Sequence, residues 1–234
     1  MSVFRNGERV KAEDPLDPDD ELYVLPAISG GADQVELLVG THKGLVILRG
    51  PRGGRMGVAG RAFPGSTVEF AIHDHRTGSY LAAVTYGQYG PHLYLAKDPL
   101  GDWEEAEGPA FPTEAEAAVS RIWVIQPGIE DGVIWAGVAP AALFRSGDGG
   151  RSWELNRGLW DHPSRPAWQP GAGGLCLHSI ALWPGDPSRL AVGISAAGVW
   201  LTDDGGKSWE RGVAGLVPRY LPPEAREGAV DLCV

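Results

Sequence analysis

Short apolar runs punctuate the chain at near-regular intervals, from "VEFAIH" at 68–73 and "YLAAVTY" at 80–86 to "LAVGIS" at 190–195. Runs of this length, rich in β-branched and aromatic residues and bounded by Gly, Pro, Asn or Asp, predict β-strands. They fall into successive sets. A first strand is predicted over 68–73, 119–125 and 175–182, a second over 80–86, 133–138 and 190–195, and a third over 92–97, 142–146 and 198–202. Each third strand leads through a turn to a short fourth strand headed by Trp. Residues 35–62 supply the second, third and fourth strands of an earlier set. The pattern predicts an all-β fold made of four-stranded units.

The units are copies of one another. "VIWAGVAPAALFRSGDGGRSWEL" (133–155) and "LAVGISAAGVWLTDDGGKSWER" (190–211) share strand, turn, strand, hairpin and Trp in register. Their hairpins fit Ser/Thr-x-Asp-x-Gly-x-x-Trp twice, as Ser146, Asp148, Gly150, Trp153 and as Thr202, Asp204, Gly206, Trp209. A weaker copy at 95–105 keeps Asp98 and Trp103 but loses the hydroxyl residue and the glycine. A short carboxylate can accept from turn amides, glycine can take positive φ, and Trp supplies apolar surface beneath the turn. The hairpin therefore reads as a structural clasp.

These residues resemble the Asp-box (BNR) repeat of sialidase-like and related β-propellers, over residues 34–234. The resemblance implies four-stranded blades, with the box on the hairpin between third and fourth strands, on the face away from the ligand site. About four blades are expected over residues 32–234. "DLCV" (231–234) aligns with "GLCL" (174–177), the start of a first strand. It would either close a small ring against residues 35–62 or begin a further blade; the second is expected, which makes this a partial ring truncated at its C-terminus.

Residues 1–31 follow another pattern. Asn6-Gly7 between β-prone flanks signals a tight turn, and "ELYVLP" reads as a strand before Gly30-Gly31. This resembles the C-terminal half of MoaD/ThiS-type sulfur carriers, which have the ubiquitin-like β-grasp fold and act through a terminal Gly-Gly carboxylate, in molybdopterin or thiamine biosynthesis. The first hairpin and the helix of that fold are missing, and Gly31 is followed by Ala32. A β-grasp-like remnant is expected, with the Gly-Gly pair as a joint.

Composition narrows the function. A formal charge of −10 and a pI near 5.0 argue against a nucleic-acid surface, which rests on clustered Lys and Arg. Two cysteines, Cys176 and Cys233, are too few for a disulfide framework and suit a reducing cytoplasm. The sequence has no run of about 18 apolar residues that could span a bilayer.

If the boxes mark one face, the connection "GLWDHPSRPAWQPGAGG" (158–174) belongs on the other. It offers Asp161, His162, Arg165 and Trp168 and leads to His178, a mixture suited to a small polar ligand. The competing reading makes Trp160 and Trp168 a cap over the core. His73 and His75 are spaced as a metal pair but lack a third ligand, so neither metal nor cofactor is expected. No residue is singled out as catalytic: the Tyr/Phe-Arg-Ile-Pro stretch of sialidases is absent, and nothing in the spacing pairs Asp161 with Glu224 or Glu227. A noncatalytic propeller binding a small ligand or a protein partner is the favoured function, with an exo-sialidase-like or other glycoside hydrolase and a sulfur-carrier fusion as alternatives.

Overall fold

The computed structural model describes residues 2–5, 8–10, 22–25, 34–171, 173–212, 216 and 222–225. Gly30, Gly31, Glu227 and the "DLCV" segment with Cys233 lie outside them. So the joint, the carrier-like tail and the C-terminal strand expected from the sequence fall on residues the structure does not describe.

Near the N-terminus β1 (Ser2–Arg5) lies between β2 (Glu8–Val10) and β3 (Leu22–Leu25) in an antiparallel sheet. Next come β4 (Gln34–Thr41), β5 (Gly44–Pro51) and β6 (Gly57–Ala62), a three-stranded sheet in sequence order. Two compact units partition the chain. One holds β1–β3, the start of β4 and the segment Leu48–Val58; the other holds everything else.

Within the larger unit three four-stranded antiparallel meanders follow one another. The first is β7 (Thr67–Asp74), β8 (Ser79–Tyr86), β9 (Gly90–Ala96) and β10 (Glu104–Ala106). The second is β11 (Arg121–Pro127), β12 (Ile134–Ala139), β13 (Ala142–Ser146) and β14 (Glu154–Leu155). A one-turn helix, α1 (Arg157–Trp160), then precedes the third: β15 (Leu177–Leu182), β16 (Leu190–Ile194), β17 (Gly198–Thr202) and β18 (Glu210–Arg211). The first strand of each meander neighbours the first strand of the next, β7 beside β11 and β11 beside β15. Repeated up-and-down sheets joined in this way are the blades of a β-propeller.

Burial explains the strand patterns. β12 reads as a continuous apolar run because every residue from Ile134 to Val138 is buried, with sheets on both sides. One core cluster joins Leu81, Leu93, Ile122, Ile134 and Phe144 of the first two meanders; another joins Leu143, Leu159, Val192, Trp200 and Trp209 of the last two. Gly137 permits this closeness, since an added Cβ would meet the Leu177 backbone oxygen at 2.5 Å. A polar tie runs between turns as well. The carboxylate of Asp74, itself 1% exposed, is forked by Arg76, whose Nη2 also donates to the Val133 carbonyl at 3.0 Å.

Candidate functional site

Backbone hydrogen bonds define the two ends of the meanders. At one end the turn between first and second strands meets the hairpin between third and fourth: Gly149 N–H donates to Gly132 O and Gly205 N–H to Ser188 O, each at 2.8 Å. At the opposite end the turns between second and third strands meet the start of a first strand. There Ala141 N–H donates to Leu175 O and Ser195 N–H to Cys176 O, each at 2.9 Å.

The two matching hairpins are built alike. Asp148 Oδ1 accepts from the amides of Arg151 and Ser152 at 3.0 Å, and Oδ2 from the Ser152 hydroxyl at 2.7 Å. Asp204 Oδ1 accepts from Lys207 and Ser208 amides at 2.9 and 3.0 Å, and Oδ2 from the Ser208 hydroxyl at 2.6 Å. Ser146 and Thr202 hydroxyls donate to these carboxylates and accept from the amides of Gly150 and Gly206. Those glycines have φ of 91° and 90°, which explains the residue type. Below, Trp209 is 5% exposed, with its Nε1 donating to Asn156 Oδ1 and Gly206 O. Trp153 Nε1 reaches Glu107 O at 3.0 Å. The Ser152 hydroxyl first, and the turn donors with it, hold the Asp148 carboxyl well below the usual range against the opposing pull of burial; Ser208 does the same for Asp204. The weak copy keeps one such bond, Leu100 N–H to Asp98 Oδ1.

A cavity of about 520 Å³ lies beside these hairpins, lined by Lys97, Trp103 and Asp148 among others. In it Lys97 Nζ donates to Ser79 Oγ at 2.8 Å, and Asp148 holds its turn.

The 158–174 connection does not lie wholly at the far end. A Cβ on Gly158 would fall 2.4 Å from Gly206 O, and Asn156 Nδ2 donates to the same carbonyl, so the connection starts against the second hairpin. The cause is the shortness of β14: after two residues Asn156 caps α1, accepting from Leu159 N–H at 2.9 Å, and the chain crosses to the next sheet. Farther on Arg165 Nη1 donates to Ala141 O at the far end.

His162, Arg165 and Trp168 do come together, around Trp160 and Trp200. The Arg165 guanidinium carbon lies 3.6 Å from the Trp160 ring centroid and 5.4 Å from that of Trp168. Burial pushes its pKa down to about 10, against the charge of Asp161. His162 packs on Trp200 at 4.6 Å, its Nδ1 is 2.8 Å from Ser164 Oγ, and Trp168 Nε1 donates to that hydroxyl at 3.1 Å. Asp161 is exposed and faces Arg157 at 3.9 Å. His178 stands apart on β15, with its Nδ1 2.8 Å from Ser179 Oγ, and burial lowers its pKa. The structure thus brings together His162, Arg165 and Trp168 and leaves Asp161 and His178 apart from them.

A different constellation emerges from irregularities in register. Each first strand has a bulge near its start: between Val68 and Phe70, between Ile122 and Val124, and between Leu177 and Ser179. The extra residues are Glu69, Trp123 and His178. Bulges re-aim side chains and are frequent beside functional sites. Arg121 Nε lies 3.1 Å from Glu69 Oε1, and its guanidinium carbon lies 4.9 Å from the Trp123 ring centroid. The same charge acts on the thiol of Cys176, a buried free cysteine whose pKa burial raises.

Among the described residues, three buried side-chain polar atoms lack a hydrogen-bond partner: Glu69 Oε1, Thr85 Oγ1 and Trp123 Nε1. The Arg121–Glu69 contact is an ion pair at short range without an aligned hydrogen bond to Oε1. Thr85 pairs with Thr67 in register, and both line a cavity of about 450 Å³ with Ser66, Tyr86 and Tyr89. All three atoms therefore sit on adjacent strands at the end opposite the Asp148 and Asp204 hairpins. Sequence reasoning found His178 but missed Glu69 and Trp123. The three align only when each is placed after the apolar residue before the bulge, Val68, Ile122 or Leu177. His73 and His75 pack ring to ring at 4.1 Å, with His73 stacked on Tyr80, and no group of three potential metal ligands occurs among the described residues. No helix among them is long and apolar enough to cross a membrane.

No protein-family model matches the chain, and no curated protein matches it. Among solved structures it is similar to the GH74 enzyme of Niastella koreensis, at 16% identity over 62% of this chain and 22% of that one, with a TM-score of 0.44. It is also similar to YCF48 from Cyanidioschyzon merolae, at 15% identity over 83% of this chain and 61% of that one, with a TM-score of 0.48. A third likeness is YCF48 bound to D1 peptide, at 10% identity over 78% of each chain, with a TM-score of 0.37. The chain thus spans less than two thirds of the length of the first two. These likenesses are distant, and the fold rests on the order and register of the sheets themselves: this chain is an all-β protein of the β-propeller kind.

Proposed function

We propose that residues 32–234 are an Asp-box (BNR) propeller acting as a noncatalytic scaffold, preceded by a β-grasp-like remnant over residues 1–31. On this reading the protein is cytoplasmic and takes up a small polar ligand or a protein partner at the bulged ends of β7, β11 and β15. It acts on neither nucleic acid nor membrane. The observation that carries the reading is the division of polar groups between the two ends. At the hairpin end Asp148 and Asp204 are saturated by their own turns. At the bulged end Glu69 Oε1 and Trp123 Nε1 are buried without a hydrogen bond, Glu69 Oε1 having only its ion pair with Arg121. Buried polar groups in folded proteins are normally satisfied, so exceptions call for a partner from outside.

A glycosidase would need a second carboxyl group facing Glu69 across the scissile bond; here Arg121 faces it. The carrier reading rests on the Asn6-Gly7 turn, the strand in ELYVLP and Gly30-Gly31. A thermal-shift screen of small polar metabolites tests the scaffold reading. Compounds should raise the melting temperature of the native protein and fail to do so in Glu69→Gln. Turnover of aryl glycosides that Glu69→Gln abolishes would overturn it.

A further inference from the structure

Two buried atoms at the bulged end lack a hydrogen bond, and they specify the chemistry of what they would hold. Glu69 Oε1 is an acceptor and Trp123 Nε1 a donor. One guanidinium touches both side chains: Arg121 is 3.1 Å from the carboxylate by its Nε and lies over the indole. The Glu69 side chain is 12% exposed and that of Arg121 41%, so the pair opens toward solvent through Arg121. Together they carry no net charge. An added anion would meet the Glu69 carboxylate and an added cation the Arg121 guanidinium, and placing an unbalanced charge in a largely buried site is costly. The missing partner must be neutral, with a donor beside an acceptor. A carboxamide has that pairing, its N–H for the carboxylate and its carbonyl for the indole.

We infer that the bulged ends of β7 and β11 form a binding site for a neutral carboxamide, with Glu69 accepting from its nitrogen and Trp123 donating to its oxygen. The inference rests on the scaffold reading and narrows it to one ligand class. Such a group can come from a free metabolite or from a glutamine or asparagine side chain of a partner.

The test follows the indole N–H resonances of the full chain by NMR, with Trp123→Phe identifying the Trp123 signal. Propionamide, propionate and propylamine are titrated as an isosteric set. Propionamide should move the Trp123 signal saturably, propionate and propylamine should not, and Glu69→Gln should weaken propionamide at least tenfold while the other indole signals stay in place. N-acetylglutamine methylamide binding more tightly than propionamide would assign the source to a protein side chain; the reverse order would assign it to a free metabolite. An unmoved Trp123 signal, or equal shifts with all three probes, overturns the inference. If thermal-shift ligands that depend on Glu69 then prove not to be amides, the scaffold reading survives its loss.

Discussion

The two ends of the meanders use the same kinds of residue to opposite effect. Asp148 and Glu69 are both carboxylates on or beside a strand end, and Trp209 and Trp123 are both indoles with a buried Nε1. At the hairpin end the carboxylate accepts from two amides and two hydroxyls, and the indole N–H from Trp209 reaches two acceptors. At the bulged end neither Glu69 Oε1 nor Trp123 Nε1 has a hydrogen bond, and Glu69 Oε1 has only its ion pair with Arg121. The difference teaches that residue type does not separate a clasp from a binding site. Saturation does: a group whose capacity its own turn consumes has nothing left for a ligand.

Breaking the clasp should have the largest effect. Trp209→Ala removes a buried side chain from the core cluster and should cost about 3 to 5 kcal/mol in urea unfolding. Trp153→Ala should cost less, because Trp153 is only half-buried. Equal losses would mean that packing beneath the turn is not what distinguishes the two copies.

Next in size is the carboxylate. Asp148→Ala should cost about 1 kcal/mol, comparable to losing a helix N-cap, since water can partly re-solvate the exposed amides. Asp98→Ala, which loses a single amide bond, should cost about half as much or less. A larger loss at Asp98 than at Asp148 would break the link between hydrogen bonds and clasp strength.

Sequence patterning made this end legible because the clasp is local. Its donors and acceptors lie within a few residues, so the Ser/Thr-x-Asp-x-Gly-x-x-Trp spacing encodes the geometry directly. Strand order was legible for the same reason: the second and third strands observed fall within two residues of those expected. The first strands of the last two meanders start at Arg121 and Leu177, not at 119 and 175. The bulged end was harder to read. Glu69 and Arg121 are far apart in sequence and meet only because β7 lies beside β11, and a bulge looks like an error in alternation until three strands show it at one place. The 158–174 connection was hard to read for a related reason. Its mixture of ionisable and aromatic groups suits a ligand as well as a cap, and its contacts with Trp200 and Ala141 cannot be seen in the spacing.

Acid should separate the ends further. Asp148 and Asp204 have depressed folded pKa values, so the stability they add is whole above about pH 4, the unfolded carboxylate value, and is lost as pH falls toward the folded values. Asp148→Asn should therefore flatten the stability profile below that pH. His178, lowered by burial, acts in a higher window: the unfolded chain takes up its proton first, so the native state weakens as pH drops below about 6.5. Replacement by Gln should flatten that shallower slope. A His178 contribution that grows with acid would contradict its burial as a neutral ring.

Glu69→Gln should have an effect of similar size to Asp148→Ala: it keeps the shape of the side chain but leaves the Arg121 guanidinium, 41% exposed and so partly solvated, without its carboxylate, at a cost of about 1 kcal/mol.

The most direct test of the division between ends is a propionamide titration of Asp148→Ala and Glu69→Gln side by side, followed on the Trp123 indole signal. The account predicts that Asp148→Ala, though less stable, binds as the native protein does, while Glu69→Gln stays folded and binds at least tenfold more weakly. A folded Asp148→Ala that loses binding, with Glu69→Gln unaffected, would contradict it.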